Sequence, residues 1–344
     1  MAKCIAGSPT PPAWQEPIEL AVTIPASVRS MTQPIYPTAW AGTFPWRNLS
    51  TSYIAAPALT PTDHSPAVLI HGFGACKEHW RSNVDALRRE RDVFALDLVG
   101  FGASDKPSSR LSNESGPANA FQYGIDSWAA QVEDLLDAVV CRPATLIGNS
   151  IGGVVALAAA ARLEAKGQPA RRVVLVDCAQ RALDDKRLAE QPPFRRWSRP
   201  LLKQVVQQRW VTTPLFQALI KPGIIRRVLQ VAYPTGAHVD DPLVQLLLEP
   251  ALQPGAAESF RGFINLFNDR MAPELLAQLR TPVDLIWGVN DPWEPIAEAR
   301  RWRSYPCVES LEELPNLGHC PHDESPDLVN PLLLRSLERS DKTL

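Results

Sequence analysis

Apolar positions fall into two patterns along this chain, and the change between them divides it. From Ala67 onward, short and nearly continuous apolar runs recur at residues 67–70, 92–97, 144–147, 171–177 and 282–288. Each has the length of a strand. Without polar–apolar alternation, such a strand is expected to be buried on both faces. Between these runs lie stretches with helical character, at 127–140 and in the Ala-rich segment 151–163. Alternation of this kind predicts an α/β class protein: a mostly parallel central sheet with helices on both faces. Residues 43–55 are expected to add antiparallel edge strands, and residues 308–314 the last strand.

Between about Cys178 and Leu279 the alternation stops. Apolar doublets follow one another at helical spacing: Leu215 and Phe216 with Leu219 and Ile220, Ile224 and Ile225 with Val228 and Leu229, then Leu243 and Val244 with Leu246 and Leu247. They predict consecutive helices. A helical insertion between strands of a parallel sheet is expected to sit over the carboxyl ends of the strands, where ligands bind. The expected organisation is a Pro-rich arm (1–42), a sheet domain in two parts (43–178 and 281–344) and a helical cap (179–280). The arm is rich in Pro, Thr, Ala and Ser, and Trp14, Tyr36 and Trp40 are candidates to pin it to the body. A transit peptide is disfavoured by Glu16 and Glu19.

Composition narrows the function classes. The 344 residues carry 35 basic and 37 acidic side chains, a net charge of −2, so no basic field points to nucleic acid. The six cysteines (4, 76, 141, 178, 307 and 320) show no pair spacing and read as reduced, mostly buried thiols. The amino-terminal sequence has no charged head followed by an apolar core, and no run approaches the ~20 apolar residues of a membrane span. A soluble, cytoplasmic protein is expected. Between Arg181 and Arg209, however, eight basic residues face three acidic ones. A solvated helix face is the simpler reading. The sharper one is a cap in peripheral contact with an anionic membrane.

The candidate chemistry centres on Gly148-Asn149-Ser150-Ile151-Gly152. It joins the strand ending at Ile147 to the Ala-rich helix and fits G-x-S-x-G. Turning a strand into a helix within one residue strains the central serine, so glycines stand two positions before and after it. The hydroxyl of Ser150 is then held at the sheet's carboxyl edge, at a helix start that favours a developing anion. The N–H of Ile151 is one candidate oxyanion donor. His71-Gly72-Phe73-Gly74, ending an earlier strand, offers the N–H of Phe73 as the second. The His71 side chain is read as structural. His319, in Gly-His-Cys-Pro after the last strand, is the candidate general base, and Asp291 the acid that orients it. Asp177 is the rival acid, because chain order fits both. A metal pair of His319 with His322 lacks supporting ligands at familiar spacing. Asp97 and Asp105 read as loop-structuring residues, and Gly100-Phe-Gly102 lacks the rest of a dinucleotide fingerprint.

These blocks resemble the α/β-hydrolase superfamily from roughly Thr43 to the end: His-Gly-Phe-Gly at 71–74, residues 97–107, Gly-Asn-Ser-Ile-Gly-Gly at 148–153, Asp-Pro-Trp-Glu-Pro at 291–295 and Gly-His-Cys-Pro-His-Asp-Glu at 318–324. The last two are similar to the pheophytinase and chlorophyll dephytylase group of oxygenic phototrophs and related cyanobacterial hydrolases. Two positions depart from that group: Ile151 stands where Leu is usual, and Asp177 where Asn is expected. The resemblance implies an α/β-hydrolase fold with an inserted cap, and a Ser150–Asp291–His319 triad with Phe73 and Ile151 as oxyanion donors. It implies cleavage of a carboxylic ester without metal or organic cofactor, and the phytyl ester of chlorophyll or pheophytin is the specific expectation. Location at a thylakoid surface would follow. Two alternatives stay open: a general carboxylesterase, lipase-like or C–C bond hydrolase, and a non-catalytic scaffold that binds an apolar ligand.

Overall fold

The computed structural model describes residues 34–115 and 120–342. The arm up to residue 33, with Cys4 and Trp14, lies outside them. Near the start of the described residues, Tyr36 is buried against the ring of Trp40. Trp40 is in turn covered by the Arg88 guanidinium. The first strand, β1 (Ala41–Trp46), starts within the segment expected to be arm and pairs with β2 (Leu49–Ala56). Only Arg47 and Asn48 separate them, both at positive φ (49° and 66°). Two such residues give the turn whose twist matches a right-twisted hairpin.

The strands β3 (Ala67–Ile70), β4 (Val93–Leu96), β5 (Thr145–Asn149), β6 (Arg172–Val176), β7 (Val283–Gly288) and β8 (Val308–Leu314) complete one sheet of order β1-β2-β4-β3-β5-β6-β7-β8. β2 is antiparallel to both its neighbours, and every pairing from β4 to β8 is parallel. Every residue of β3, β5, β6 and β7 is buried, which is why these strands read as nearly continuous apolar runs; the buried charges Arg172 of β6 and Asp284 of β7 pair with each other at 3.2 Å.

Two layers supply the burial. On one face lie α2 (Ile125–Leu135) and α3 (Ile151–Ala165), with Trp128, Val154, Val155 and Leu157 packed on Leu146, Val173 and Leu285. On the other lie α1 (Val84–Leu87) and α12 (Pro326–Asp341), with Trp80, Leu87, Val329 and Leu333 on Leu69, Ile147 and Val174. The helix expected over 127–140 begins two residues earlier, and its last turn, Leu136–Val140, widens into a π-helix closed by Cys141 at φ 54°.

Between β6 and β7 run five longer helices: α4 (Pro193–Gln207), α5 (Arg209–Leu219), α6 (Pro222–Ala232), α7 (Asp241–Ala251) and α8 (Ala256–Ile264). The short α9 (Ala272–Leu276) follows, while α10 (Ile296–Trp302) and α11 (Pro321–Glu324) lie beyond β7 and β8. One residue from each α6 doublet, Ile225 and Leu229, joins both doublets of α7, Leu243, Val244, Leu246 and Leu247, in a small core with Cys320, while Val228 stays exposed. Leu215 and Leu219 of α5, by contrast, stay exposed. No described helix is long and apolar enough to cross a membrane. The five described cysteines are free thiols, all buried except Cys141.

Candidate active site

β5 runs into α3 through Ser150, whose backbone sits at φ 55°, ψ −125°. A residue with a side chain pays about 1–3 kcal/mol for such a conformation, so the surroundings must enforce it. They do so through three hydrogen bonds. Ser150 N–H donates to Val176 O, and its carbonyl accepts from the N–H groups of Gly153 and Ala179, all at 3.0 Å. The flanking glycines are required by space. A Cβ on Gly148 would lie 2.3 Å from the Gly152 carbonyl oxygen, and one on Gly152 would lie 2.5 Å from the carbonyl oxygens of Ile70 and His71. The Ser150 side chain is thereby set at the head of α3, where the first backbone N–H groups have no partner within the helix.

The loop after β3 runs beside this turn. A Cβ on Gly72 would stand 3.1 Å from both Ser150 Cβ and Asn149 Oδ1. His71 holds the loop: its buried ring meets Gly72 O through Nδ1 at 2.7 Å and accepts the Leu98 N–H at Nε2 at 3.1 Å. Burial lowers its pKa. Both nitrogens serve the backbone, so the ring is a neutral strut. Phe73 turns outward and stacks on Phe263 of α8 (3.8 Å between centroids, 15° between planes), with its ring against Phe101.

Asp291 and His319 come together at the ends of β7 and β8. His319 Nδ1 lies 2.7 Å from Asp291 Oδ2, and both residues are buried. Asp291 Oδ1 accepts the N–H groups of Trp293 and Glu294 at 2.8 and 3.1 Å, which fixes the carboxylate. The His319 loop is anchored three ways. Its N–H donates to Ala232 O at the end of α6, the ring meets the Trp293 edge, and Asn149 Nδ2 donates to His319 O at 3.0 Å. Asn149 also donates to Val176 O. The residue before the serine therefore ties the elbow to the histidine loop. Its role has no sequence signal beyond adjacency to Ser150.

The structure pairs His319 with Asp291 and gives Asp177 other partners. Asp177, fully buried at φ 44°, accepts the Gly288 N–H with Oδ1 at 2.9 Å. Its Oδ2 finds no donor, yet the carboxyl lies against that of Asp291. Two buried carboxylates cannot both stay ionised in contact. Burial first, then the Asp291 charge, push the Asp177 pKa well up. A proton on Asp177 would remove that repulsion and let its O–H face Asp291 as an Asn amide in that position would. Glu294 extends the acidic cluster. Burial foremost, with Asp291 and Glu298 adding to it, raises its pKa to about 8 against the Gln180 N–H it accepts. Sequence reasoning missed Glu294, because the Gln180 backbone that meets its carboxyl lies 114 residues away in the chain.

The remaining candidates serve the scaffold. Asp97 is buried in an ion pair with Lys77 Nζ (2.8 Å) and accepts the N–H groups of Lys77 and Ala103. Asp105 accepts the Ser50 N–H. His322 lies under Trp80, away from any gathered ligand set, and no group of three or more His, Cys, Asp or Glu side chains able to hold a metal occurs among the described residues. Beside the elbow, Phe73, Phe101, Phe216 and Phe260 line a small apolar cavity of about 40 Å³ between the sheet edge and helices α5 and α8.

Comparison with known proteins places this architecture. An alpha/beta hydrolase family model matches residues 67–332. The chain belongs to that family. Its fold is the α/β-hydrolase fold. It is 26% identical over 296 residues to the chloroplastic pheophytinase of Arabidopsis thaliana, a match covering 78% of this chain and 60% of the relative. It is 36% identical over 115 residues to a 2-hydroxy-6-oxo-2,4-heptadienoate hydrolase of Pseudomonas putida, covering 33% of this chain and 37% of the relative. The matches thus span about a third to three-fifths of these relatives. A crystal structure of a serine hydrolase involved in carbazole degradation superposes with a TM-score of 0.65 at 18% identity, over 87% of this chain and 98% of that one.

Proposed function

We propose that the protein is a serine hydrolase that cleaves a carboxylic ester through an acyl-enzyme. The observation that carries this reading is the enforced, strained Ser150 tied through Asn149 to a histidine whose Nδ1 is held by Asp291. With Nδ1–H donated to Asp291, Nε2 is the basic nitrogen left for proton transfer. Ser150 Oγ attacks the ester carbonyl as its proton passes to Nε2. Charge on the former carbonyl oxygen develops toward the N–H groups of Ile151 and Phe73. Collapse breaks the C–O bond, and the leaving alcohol takes the proton from His319. Water, deprotonated by His319, then attacks the acyl carbon, and the acid departs with Ser150 restored. Protonated Asp177 steadies Asp291 from behind.

The substrate in this reading is bulky and apolar, with a phytyl ester of chlorophyll or pheophytin as the specific choice. The aromatic lining and the similarity to pheophytinase support it. The cavity is far smaller than such a pigment, so binding requires Phe216 and Phe260 of the cap to move away from Phe73. The test is incubation with pheophytin and chlorophyll, wild type beside Ser150→Ala, with phytol release followed. Serine-dependent release is the expected result. Release of the acid from a short aryl ester, with no phytol, would keep the mechanism and remove the pigment. Similarity to the heptadienoate hydrolase supports a second reading, C–C bond hydrolysis with the same serine. Turnover of that dienoate with none of any ester would favour it.

A further inference from the structure

Helix α4 is built inside out. Phe194, Trp197, Leu201 and Val205 recur at intervals of three and four residues and share one stripe of the helix. All four point to solvent, with Trp197 87% exposed, Phe194 67% and Leu201 66%; Leu202 beside them is also exposed. Three residues past the helix, Trp210 is 77% exposed. The charged side of α4 instead faces the protein. Arg199 is buried, paired with Asp185, and lies over the Phe267 ring at 4.4 Å. Lys203 shares the same carboxylate at 2.6 Å. Backbone carbonyls of Val206 and Gln207 on that side accept from Asn265 and Arg261.

This orientation is fixed, because reversing the helix would strand Asp185 and bare the cation sites. It also changes the charge picture. The three acidic residues between Arg181 and Arg209 are all committed to ion pairs: Asp184 with Arg181, Asp185 with Arg199 and Lys203, and Glu190 with Arg187. Arg195 and Arg196, next to the apolar stripe, are exposed and have no acidic partner among the described residues. A solvated polar face does not describe this surface.

We infer that α4 is a membrane-docking helix, which seats Trp197, Phe194 and Leu201 in the interface of a bilayer while Arg195 and Arg196 meet anionic lipid headgroups. Tryptophan at the headgroup level with arginine beside it is the composition such an interface selects. The uncompensated cations favour an anionic lipid surface over a second apolar protein face. This inference is independent of what the enzyme hydrolyses.

The test is flotation of the purified full chain with phosphatidylcholine vesicles, with and without phosphatidylglycerol. The wild type is expected to float with the anionic vesicles and to be released by salt. Trp197→Ser with Leu201→Ser should lower the partition coefficient on the order of a hundredfold. Arg195→Gln with Arg196→Gln should lower it roughly twenty-fold on anionic vesicles and leave it unchanged on neutral ones. All four side chains are exposed, so unchanged melting temperatures are expected. Three results would each overturn the inference. They are failure of the wild type to float, equal salt-independent binding to neutral vesicles, and a Trp197/Leu201 variant that binds as wild type. A wild-type dimer in size exclusion that the Trp197/Leu201 pair dissolves, without vesicle binding, would assign the stripe to a second copy instead.

Discussion

Two helices of fifteen residues, α3 and α4, place their side chains in opposite ways. In α3 every residue from Ile151 to Ala160 is buried, and no charge interrupts its first eleven positions. In α4 the only buried side chain is a cation, Arg199, and the large apolar groups face outward. The first pattern is what a closed core requires, since apolar surface removed from water stabilises at ~25 cal/mol per Å². The second runs against that gain, and a helix that keeps it is shaped for a surroundings other than water. Burial of α3 also serves the chemistry. It fixes the head of the helix, whose Gly153 N–H is one of the groups that hold Ser150 at its strained dihedral.

That contrast is open to attack at both ends. The largest effect is expected at the head of α3. Ser150→Ala should lower ester turnover by at least about 10⁴-fold, with an unchanged melting temperature. Equal turnover would remove Ser150 from the chemistry. Asp291→Asn should follow, with kcat down roughly 10³- to 10⁴-fold, because the His319 tautomer is lost while the fold is kept. Its neighbour gives the sharper comparison. Asp177→Asn should leave kcat within a few-fold, since the amide donates to Asp291 as the protonated carboxyl does. A fall as deep as that of Asp291→Asn would assign the acid role to the pair.

Stability effects come next. Gly152→Ala places a Cβ against the Ile70 and His71 carbonyls and should cost about 1–3 kcal/mol or more in chemical denaturation. Glu294 predicts a pH dependence. Its folded pKa of about 8 lies above its ordinary 4.5, so the folded state holds a proton that the unfolded chain releases. Its burial is free of cost below the ordinary value, and stability falls as pH rises from there toward about 8, by on the order of a few kcal/mol. Glu294→Gln should flatten that slope in thermal melts across the window. A slope unchanged in the variant would show that Glu294 is ionised in the fold. The smallest effect belongs to α4. Trp197→Ser should alter neither the melting temperature nor kcat/KM on a water-soluble aryl ester. A drop in either would mean that the stripe packs on the body.

Much of this was written in local patterns. The strands β3 to β7 announce themselves because a strand buried on both faces lacks polar–apolar alternation, and the elbow because only glycine fits two positions from a strained serine. The loop histidines and acids carried their own turn residues, so Asp291 and His319 were legible as candidates. The sequence also held the excess of cations between Arg181 and Arg209, but it left their direction open.

What only the tertiary structure decided are the relations between segments far apart in the chain. Chain order allowed Asp177 or Asp291 to orient the histidine. The packing of β6 against β7 gave His319 to Asp291 and left Asp177 with a buried oxygen that has no hydrogen-bond partner. Asn149 became a tether because the β8 loop closes over the elbow. In α4 the helical period marks two faces, one apolar and one charged, and says nothing of which turns inward. Asp185, fourteen residues from Arg199, captured the charged one. A periodic pattern fixes which residues share a face, whereas the partner that covers a face is supplied by distant chain, and that is set by the fold.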